Sequence, residues 1–252
     1  MDLSNFFQNK DCQKVLKILN HKNETSRIVG GYVRNYLRNI ETKDIDIATK
    51  LIPDEVISLL SKAGIKTVPT GLSHGTISAF INDQTFEITT LRKDTNYDGR
   101  HADIEFTDDW AVDASRRDFT INALYMNSDG DIYDPFDGIS DLNSGTVKFI
   151  GDPEKRIKED YLRILRYYRF LSFYDSSVDS ETRKLIKKNA SSIVNLSSER
   201  IHMEFFKILD NDNSGKIINF MEEDGILELI FSHPVDVKVY NRMIDIDNEI
   251  FL

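Results

Sequence analysis

Short apolar runs alternate with polar breaks through the first half of the chain and give way to three- and four-residue spacing in the second. Residues 26–29, 44–48, 76–81 and 86–91 are β-branched or alternating stretches, the pattern of strands. Residues 33–38 read as a helix between them, as do 53–63, where Pro53 followed by Asp54 and Glu55 has the composition of a helix first turn. Residues 93–113 are polar and loop-like, with a turn at Asp98-Gly99. From Pro153 the period becomes helical: Ile157, Tyr161, Leu162, Leu165, Tyr168 and Leu171 recur three and four residues apart. Further helices are predicted over 180–188, 198–209 and 215–230. The expected fold class is α+β, with a mixed sheet and helices in a head over residues 1–145 and an all-α region over 146–252.

Composition narrows this picture. A chain of 252 residues buries roughly 70–75% of its unfolded surface, so it needs no covalent staples. The single cysteine, Cys12, excludes an internal disulfide and fits a reducing cytosol. The first residues lack the basic start and apolar run of a signal peptide, and no stretch approaches the roughly 20 apolar residues of a membrane span. A cytoplasmic, soluble protein is expected, and no feature points to a membrane or a stable protein partner. The net charge of −10 argues against a broad nucleic-acid footprint. Basic residues nevertheless cluster at Lys155, Arg156, Lys158, Arg163, Arg166 and Arg169 against only Glu159 and Asp160, so any such contact is expected to be local.

Candidate chemistry begins at Asp44-Ile45-Asp46-Ile47. On a strand, residues two apart face the same way, so both isoleucines point to the core and both carboxylates to one side. Paired carboxylates suit Mg²⁺, which takes few protein oxygens, and two such ions can clamp the attacking and leaving oxygens of a phosphoryl transfer. Asp245-Ile246-Asp247 repeats the tripeptide, but only the first copy has Gly30-Gly31 upstream, between an apolar run and a helical start. Glycines at such a turn admit a phosphate close to the backbone. In Phe86-Glu87-Ile88-Thr89 the same alternation sets Glu87 opposite the apolar face, a third carboxylate able to take a proton from a hydroxyl or help hold a metal.

These residues belong to a longer series: IVGGYVRNYL (28–37), KDIDIAT (43–49), SHGTI (73–77), FEITTLR (86–92), DGRHADIEF (98–106), RRDFTINAL (116–124), DPFDGISDL (134–142), GDPEKRIKEDYLRILRYYRF (151–170) and SSERIHMEF (197–205). Over some 180 positions the chain resembles the class II tRNA nucleotidyltransferases and bacterial poly(A) polymerases. The resemblance implies a polymerase-β-like nucleotidyltransferase head followed by a helical neck and the start of a body. It implies template-independent addition of C, C and A to the tRNA 3′ end from CTP and ATP with two Mg²⁺ ions. Asp44 and Asp46 would hold the metals and Glu87 complete the catalytic triad. Gly30, Gly31, Arg34, Arg116, Arg117 and Asp118 would bind the incoming nucleotide, and Asp134, Asp137 and Gly138 would couple head and neck.

In the same family an Asp–Arg pair reads the incoming base in place of a template. Here it falls on Asp160 and Arg163, three apart and so neighbours on one helix face, with Arg166 beyond them. A carboxylate accepts from the exocyclic amine of cytosine or adenine and a guanidinium donates to the adjacent ring acceptor; guanine and uracil fail both contacts. His74-Gly75-Thr76 and the Tyr161-Leu162 step favour CCA addition over poly(A) synthesis, and the 93–101 segment has the length expected for A addition. Asn35 and Asp137 depart from the family pattern, which commonly has Asp and Gly there. Family members continue well beyond this C-terminus through a tail that grips tRNA, which leaves a non-catalytic RNA-binding remnant as the rival reading. His74, His101, Trp110, Tyr167, Tyr168 and Cys12 are expected to serve packing or local hydrogen bonding.

Overall fold

The computed structural model describes residues 9–95, 103–174 and 179–250, with the side chains of 247–250 excepted. Among the described residues, those up to 142 form one compact unit and those from 143 another.

The first unit opens with α1 (Lys10–Leu19), started by Asn9, whose Oδ1 accepts from the Cys12 amide at 2.9 Å. It continues through β1 (Ser26–Val29), α2 (Gly31–Leu37), β2 (Ile45–Thr49), α3 (Pro53–Lys62), β3 (Lys66–Gly71), β4 (Thr76–Ile81) and β5 (Gln84–Thr90). Then come β6 (Arg92–Thr95), β7 (Asp103–Phe106), α4 (Trp110–Ser115), β8 (Tyr125–Met126), β9 (Ile132–Tyr133) and α5 (Gly138–Ser144). Seven strands make one mixed sheet in the order β3-β4-β5-β2-β1-β8-β9, in which only β2 and β5 pair in parallel. Ile45, Ile47, Phe86 and Ile88 are buried on one face. Period-two alternation therefore turns Asp46 and Glu87 to the other.

The loop expected over 93–113 is corrected in part: β6 and β7 form a hairpin and α4 follows. Its polar sequence hides the strands, because this two-stranded ribbon has little core face to fill. A contact distant in sequence anchors it instead, since a Cβ at Gly75 would lie 2.7 Å from the Phe106 ring. The Asp98-Gly99 turn and His101 lie outside the described residues.

The second unit contains α6 (Pro153–Glu159), α7 (Leu162–Leu171), α8 (Ser180–Asn189), α9 (Ser198–Leu209), α10 (Ser214–Glu223), α11 (Ile226–Phe231) and α12 (Val237–Ile250). Asp152 and Asp179 cap α6 and α8 through the amides of Lys155 and Thr182, at 2.9 and 2.7 Å. Two expected helices are broken. Asp160 is extended (φ −155°, ψ 108°), separating α6 from α7, and its Oδ1 accepts from the Leu162 amide at 3.1 Å. Gly225 takes φ +71° and divides 215–230 into α10 and α11. Tyr167 and Tyr168 are packed inside, Tyr167 stacked on Phe149 at 5.9 Å and the Tyr168 hydroxyl donating to Asp224 Oδ2 at 2.6 Å.

Asp134 starts α5 by accepting from the Gly138 and Ile139 amides at 2.8 and 2.9 Å. A Cβ at Gly138 would stand 2.3 Å from the Thr120 carbonyl oxygen, a backbone atom that cannot rotate away. Gly138→Ala is therefore expected to cost about 1–3 kcal/mol, read from urea unfolding midpoints. An unchanged midpoint would mean that this turn relaxes freely.

Candidate functional site

Strand register builds the site. Glu87 pairs with Asp46 across β5 and β2, Asp46 with Val29, Val29 with Tyr125, and Ser78 with Glu87. These residues form one row across five strands and project from one face, each step about 4.8 Å. Asp44 lies one residue before β2 and is exposed. Glu87 is oriented by Ser78, whose hydroxyl donates to Oε1 at 2.5 Å, and Ser78 is joined in turn to Thr70 at 2.7 Å.

Asp46 keeps solvent access, yet the protein crowded about it removes enough hydration to raise its carboxyl above the ordinary range. Arg117 opposes that shift, while Glu87 and Asp44 add to it. Like charges gathered in this way favour either a proton or a cation. The carboxylates of Asp44, Asp46 and Glu87 offer only oxygens, a donor set that would suit Mg²⁺. Among the described residues no group of three or more His, Cys, Asp or Glu side chains closes into a metal cage.

Beside Val29 the chain turns at Gly30 (φ 71°, ψ −122°), a conformation closed to side-chain-bearing residues. A Cβ at Gly30 would lie 3.6 Å from Arg117 Nη1, and one at Gly31 3.7 Å from Arg34 Nη2. Two guanidiniums thus flank the glycine turn. Arg34 is held by Asn122, with Nη1 to Oδ1 at 2.5 Å, and by Asn35 Oδ1 at 3.1 and 3.2 Å. Asn122 Nδ2 donates to Asp118 Oδ1 at 3.0 Å, and all three of Arg34, Asn122 and Asp118 are buried.

Arg116 and Arg117 converge on Asp113. Asp113 Oδ1 receives Arg116 Nε and Nη2, both at 2.8 Å; Oδ2 receives the Tyr125 hydroxyl at 2.7 Å and Arg117 Nη2 at 3.2 Å. The structure thus brings together Gly30, Gly31, Arg34, Asp46, Glu87, Arg117 and Asp118, with Asp44 adjoining in the chain and Arg116 bound to the same anchor as Arg117. Asp113, Asn122 and Tyr125 were missed from sequence. Asp113 carried a signal, lying three and four residues before two arginines on a helix end; Asn122 and Tyr125 carried none.

In the helical unit the expected Asp160–Arg163 pairing on one helix face is corrected. The break at Asp160 separates the side chains: Asp160 Oδ2 meets Arg200 Nη2 at 2.8 Å, whereas Arg163 Nη1 meets Glu159 Oε2 at 2.7 Å. The backbones stay close, with the Arg163 amide donating to the Asp160 carbonyl at 3.0 Å. Arg166 lies farther along α7, 3.8 Å from buried Glu204. The repeated tripeptide Asp245-Ile246-Asp247 has a helical backbone in α12, which separates positions two apart by about 200°. His74 closes a short turn, its carbonyl accepting from Arg92 Nη1 at 2.6 Å. Trp110 packs edge-on to Tyr125 at 5.4 Å and under the Arg27 guanidinium at 4.5 Å. Cys12 is buried, and burial pushes its thiol up to about 12.

Carboxylates, a glycine turn and flanking guanidiniums thus lie together in the head, a combination chemically suited to phosphate. A family model described as the poly A polymerase head domain matches residues 26–148, and one described as the probable RNA and SrmB-binding site of polymerase A matches residues 177–235. The chain is 42% identical over 209 residues to CCA tRNA nucleotidyltransferase 1, mitochondrial, of Mus musculus, covering 81% of this chain and 48% of that protein. The solved Bacillus stearothermophilus CCA-adding enzyme in complex with CTP superposes with a TM-score of 0.77 at 30% identity, over 86% of this chain and 52% of that one. The Thermotoga maritima CCA-adding enzyme complexed with tRNA_CCA gives 0.75 at 25% identity, over 94% and 57%. The chain belongs to the CCA-adding enzyme and poly(A) polymerase family. It spans about half the length of the curated relatives it matches. No helix among the described residues is long and apolar enough to cross a membrane.

The buried Asp113 carboxyl makes the site pH-sensitive. Burial by itself would raise it, but Arg117, then Arg116, and the Tyr125 hydroxyl hold it below the usual carboxylate range. Its stabilising effect is thus complete above the unfolded pKa of about 3.9 and is lost as pH falls through the lower folded value. Asp113→Asn is expected to lose about 3 kcal/mol at pH 7. That difference should shrink in acid below about pH 4, followed by urea unfolding of both proteins. A gap that stayed constant down to pH 3 (about one unit below the unfolded value) would place the stabilisation elsewhere.

Proposed function

We propose that this chain carries the catalytic head, residues 1–145, and a helical nucleotide- and RNA-binding region, residues 146–252, of a template-independent nucleotidyltransferase that adds C, C and A to tRNA 3′ ends. The observation that carries the reading is the register pairing of Asp46 with Glu87 beside a glycine turn flanked by Arg34 and Arg117. Its relatives are CCA-adding enzymes by name, and neighbours of the same fold were solved with CTP and with tRNA_CCA.

In this reading Asp44 and Asp46 hold two Mg²⁺ ions, with CTP and ATP as substrates. Bound there, the metal supplies charge neutralisation for in-line displacement at the α-phosphorus. Glu87, fixed by Ser78, is aimed to accept the 3′-hydroxyl proton or to share in metal binding. Gly30 and Gly31 admit the triphosphate close to the backbone, and Arg34, Arg116 and Arg117 counter its charge. Asp118 acts with Asn122 to keep Arg34 in place. Asp160 and Arg163, with Arg166, select the base. The support for that role is the motif and the short backbone turn joining Asp160 to Arg163, since their side chains pair elsewhere. The buried thiol of Cys12 suits a reducing compartment, for which we propose the cytoplasm.

The purified chain, incubated with Mg²⁺, CTP, ATP and tRNA ending at the discriminator base, should add three nucleotides and stop, read on a single-nucleotide sizing gel. An adenosine ladder would make it a poly(A) polymerase, and two additions a CC-adding enzyme; bound RNA with no addition would favour the non-catalytic remnant. Asp44→Ala and Asp46→Ala should each abolish addition, a loss of at least about 10³-fold, with unfolding midpoints near wild type. Activity surviving both changes removes the metal assignment. Asp160→Ala should admit UTP or GTP before it stops turnover, and unchanged base choice would end the base-reading assignment.

A further inference from the structure

Arg116 and Arg117 are adjacent in the chain, carry the same charge, and are only 15% and 19% exposed. Two guanidiniums in such surroundings repel one another and lose hydration unless something holds them. Asp113, 1% exposed, meets both at 2.8–3.2 Å and also accepts from the Arg92 backbone amide at 3.2 Å. Its position on the helix is set by Asp109, whose Oδ1 accepts from the Ala111 amide at 2.7 Å and starts α4.

Tyr125 makes the anchor rigid. Its hydroxyl donates to Asp113 Oδ2 at 2.7 Å and accepts from Arg117 Nε at 3.1 Å, closing a ring of three side chains. Tyr125 also pairs with Val29 on the row that contains Asp46 and Glu87. The anchor is thereby registered to the carboxylate row, two strands or about 10 Å from Asp46. A third guanidinium, Arg92, adjoins at Asp94, 3.2 Å away. Arg92, Arg116 and Arg117 thus gather around Asp94 and Asp113.

We propose that Asp113, braced by Tyr125, is a positioning residue that presets Arg116 and Arg117 for the triphosphate of the incoming nucleotide. This rests on the reading of those arginines as nucleotide-binding. Asp113 contacts the two arginines, Tyr125 and the Arg92 amide, so in this proposal it acts on affinity for any triphosphate and leaves base choice alone. Loss of the anchor removes the charged contact shared by the two arginines, and part of the entropy of ordering them is then lost at each binding event.

The test compares wild type, Asp113→Asn, Asp113→Glu and Tyr125→Phe of the full chain. Measured quantities are kcat and KM for CTP and ATP at saturating tRNA and Mg²⁺, binding of inorganic tripolyphosphate, and unfolding midpoints. Asp113→Asn should raise both KM values by a common factor of about 10 or more and weaken tripolyphosphate binding alike, with the preference for C and A over U unchanged. Asp113→Glu should recover part of that loss, and Tyr125→Phe should raise KM about threefold, more than it lowers kcat. Normal KM values beside a lowered midpoint or lowered kcat would make Asp113 a purely structural residue and overturn the proposal. If Asp113→Asn does not fold, Tyr125→Phe decides in the same way: unchanged KM and tripolyphosphate binding overturn it. A wild type that binds neither CTP nor tripolyphosphate overturns the nucleotide reading and this inference together; wild-type binding with unaffected variants overturns the inference alone.

Discussion

The parallel pairing of β2 with β5 is the constraint on which the candidate site depends, and burial sets its register. Ile45, Ile47, Phe86 and Ile88 are each at most 2% exposed, and a slip of one residue would turn all of one strand's apolar side chains to the opposite face. The register that keeps them inside places Asp46 opposite Glu87. Bringing two carboxylates side by side is unfavourable in itself, and Glu87 adds to the larger effect of lost hydration in raising the proton affinity of Asp46. The hydrophobic side of the sheet thus pays for an electrostatic conflict on the other, which a cation relieves.

Around this row the polar groups form connected sets. Arg34, Asn122 and Asp118 make one; Arg116, Arg117, Asp113 and Tyr125 make another; Glu87, Ser78 and Thr70 a third. Each fixes a charged side chain through a buried or half-buried partner, as pre-organised sites require. The glycine turn joins two of them, since Arg34 and Arg117 both come within van der Waals reach of it, and the positive φ of Gly30 is what excludes a side chain there. In the helical unit the basic residues of α6 and α7 are likewise matched with acids, Arg163 with Glu159 and Arg169 with Glu204 at 3.2 Å. That pairing accommodates a basic cluster within a chain of net charge −10.

The strands at 26–29 and 76–81 and the helix at 198–209 were legible to the residue, because their apolar periods are regular and their ends carry turn or capping residues. The hairpin of β6 and β7 was not, since only Ile104 and Phe106 give it any apolar face and its anchor, Phe106 against Gly75, is a contact distant in sequence. Nor was the break at Asp160: its flanks keep a helical period, and the interruption rests on one residue whose carboxylate serves Leu162 and Arg200 instead of a helical neighbour. Gly225 was visible as a residue, but only its left-handed conformation made it a boundary.

By itself the sequence determined the alternation that sends Asp46 and Glu87 away from the core, the glycine turn beside them and the family motifs, because each depends on spacing over a few residues. It held two copies of Asp-Ile-Asp and offered only neighbouring motifs to tell them apart. Tertiary structure separated them outright, pairing one with β5 as a strand and winding the other into α12. It alone decided that Asp113, Asn122 and Tyr125 hold the arginines, and that Asp160 and Arg163 turn to different partners. Asn122 meets Arg34, and Asp160 meets Arg200, across long stretches of chain where no local period records the choice, whereas Asp113 meets its arginines at helical spacing and only its burial marks that contact as an anchor.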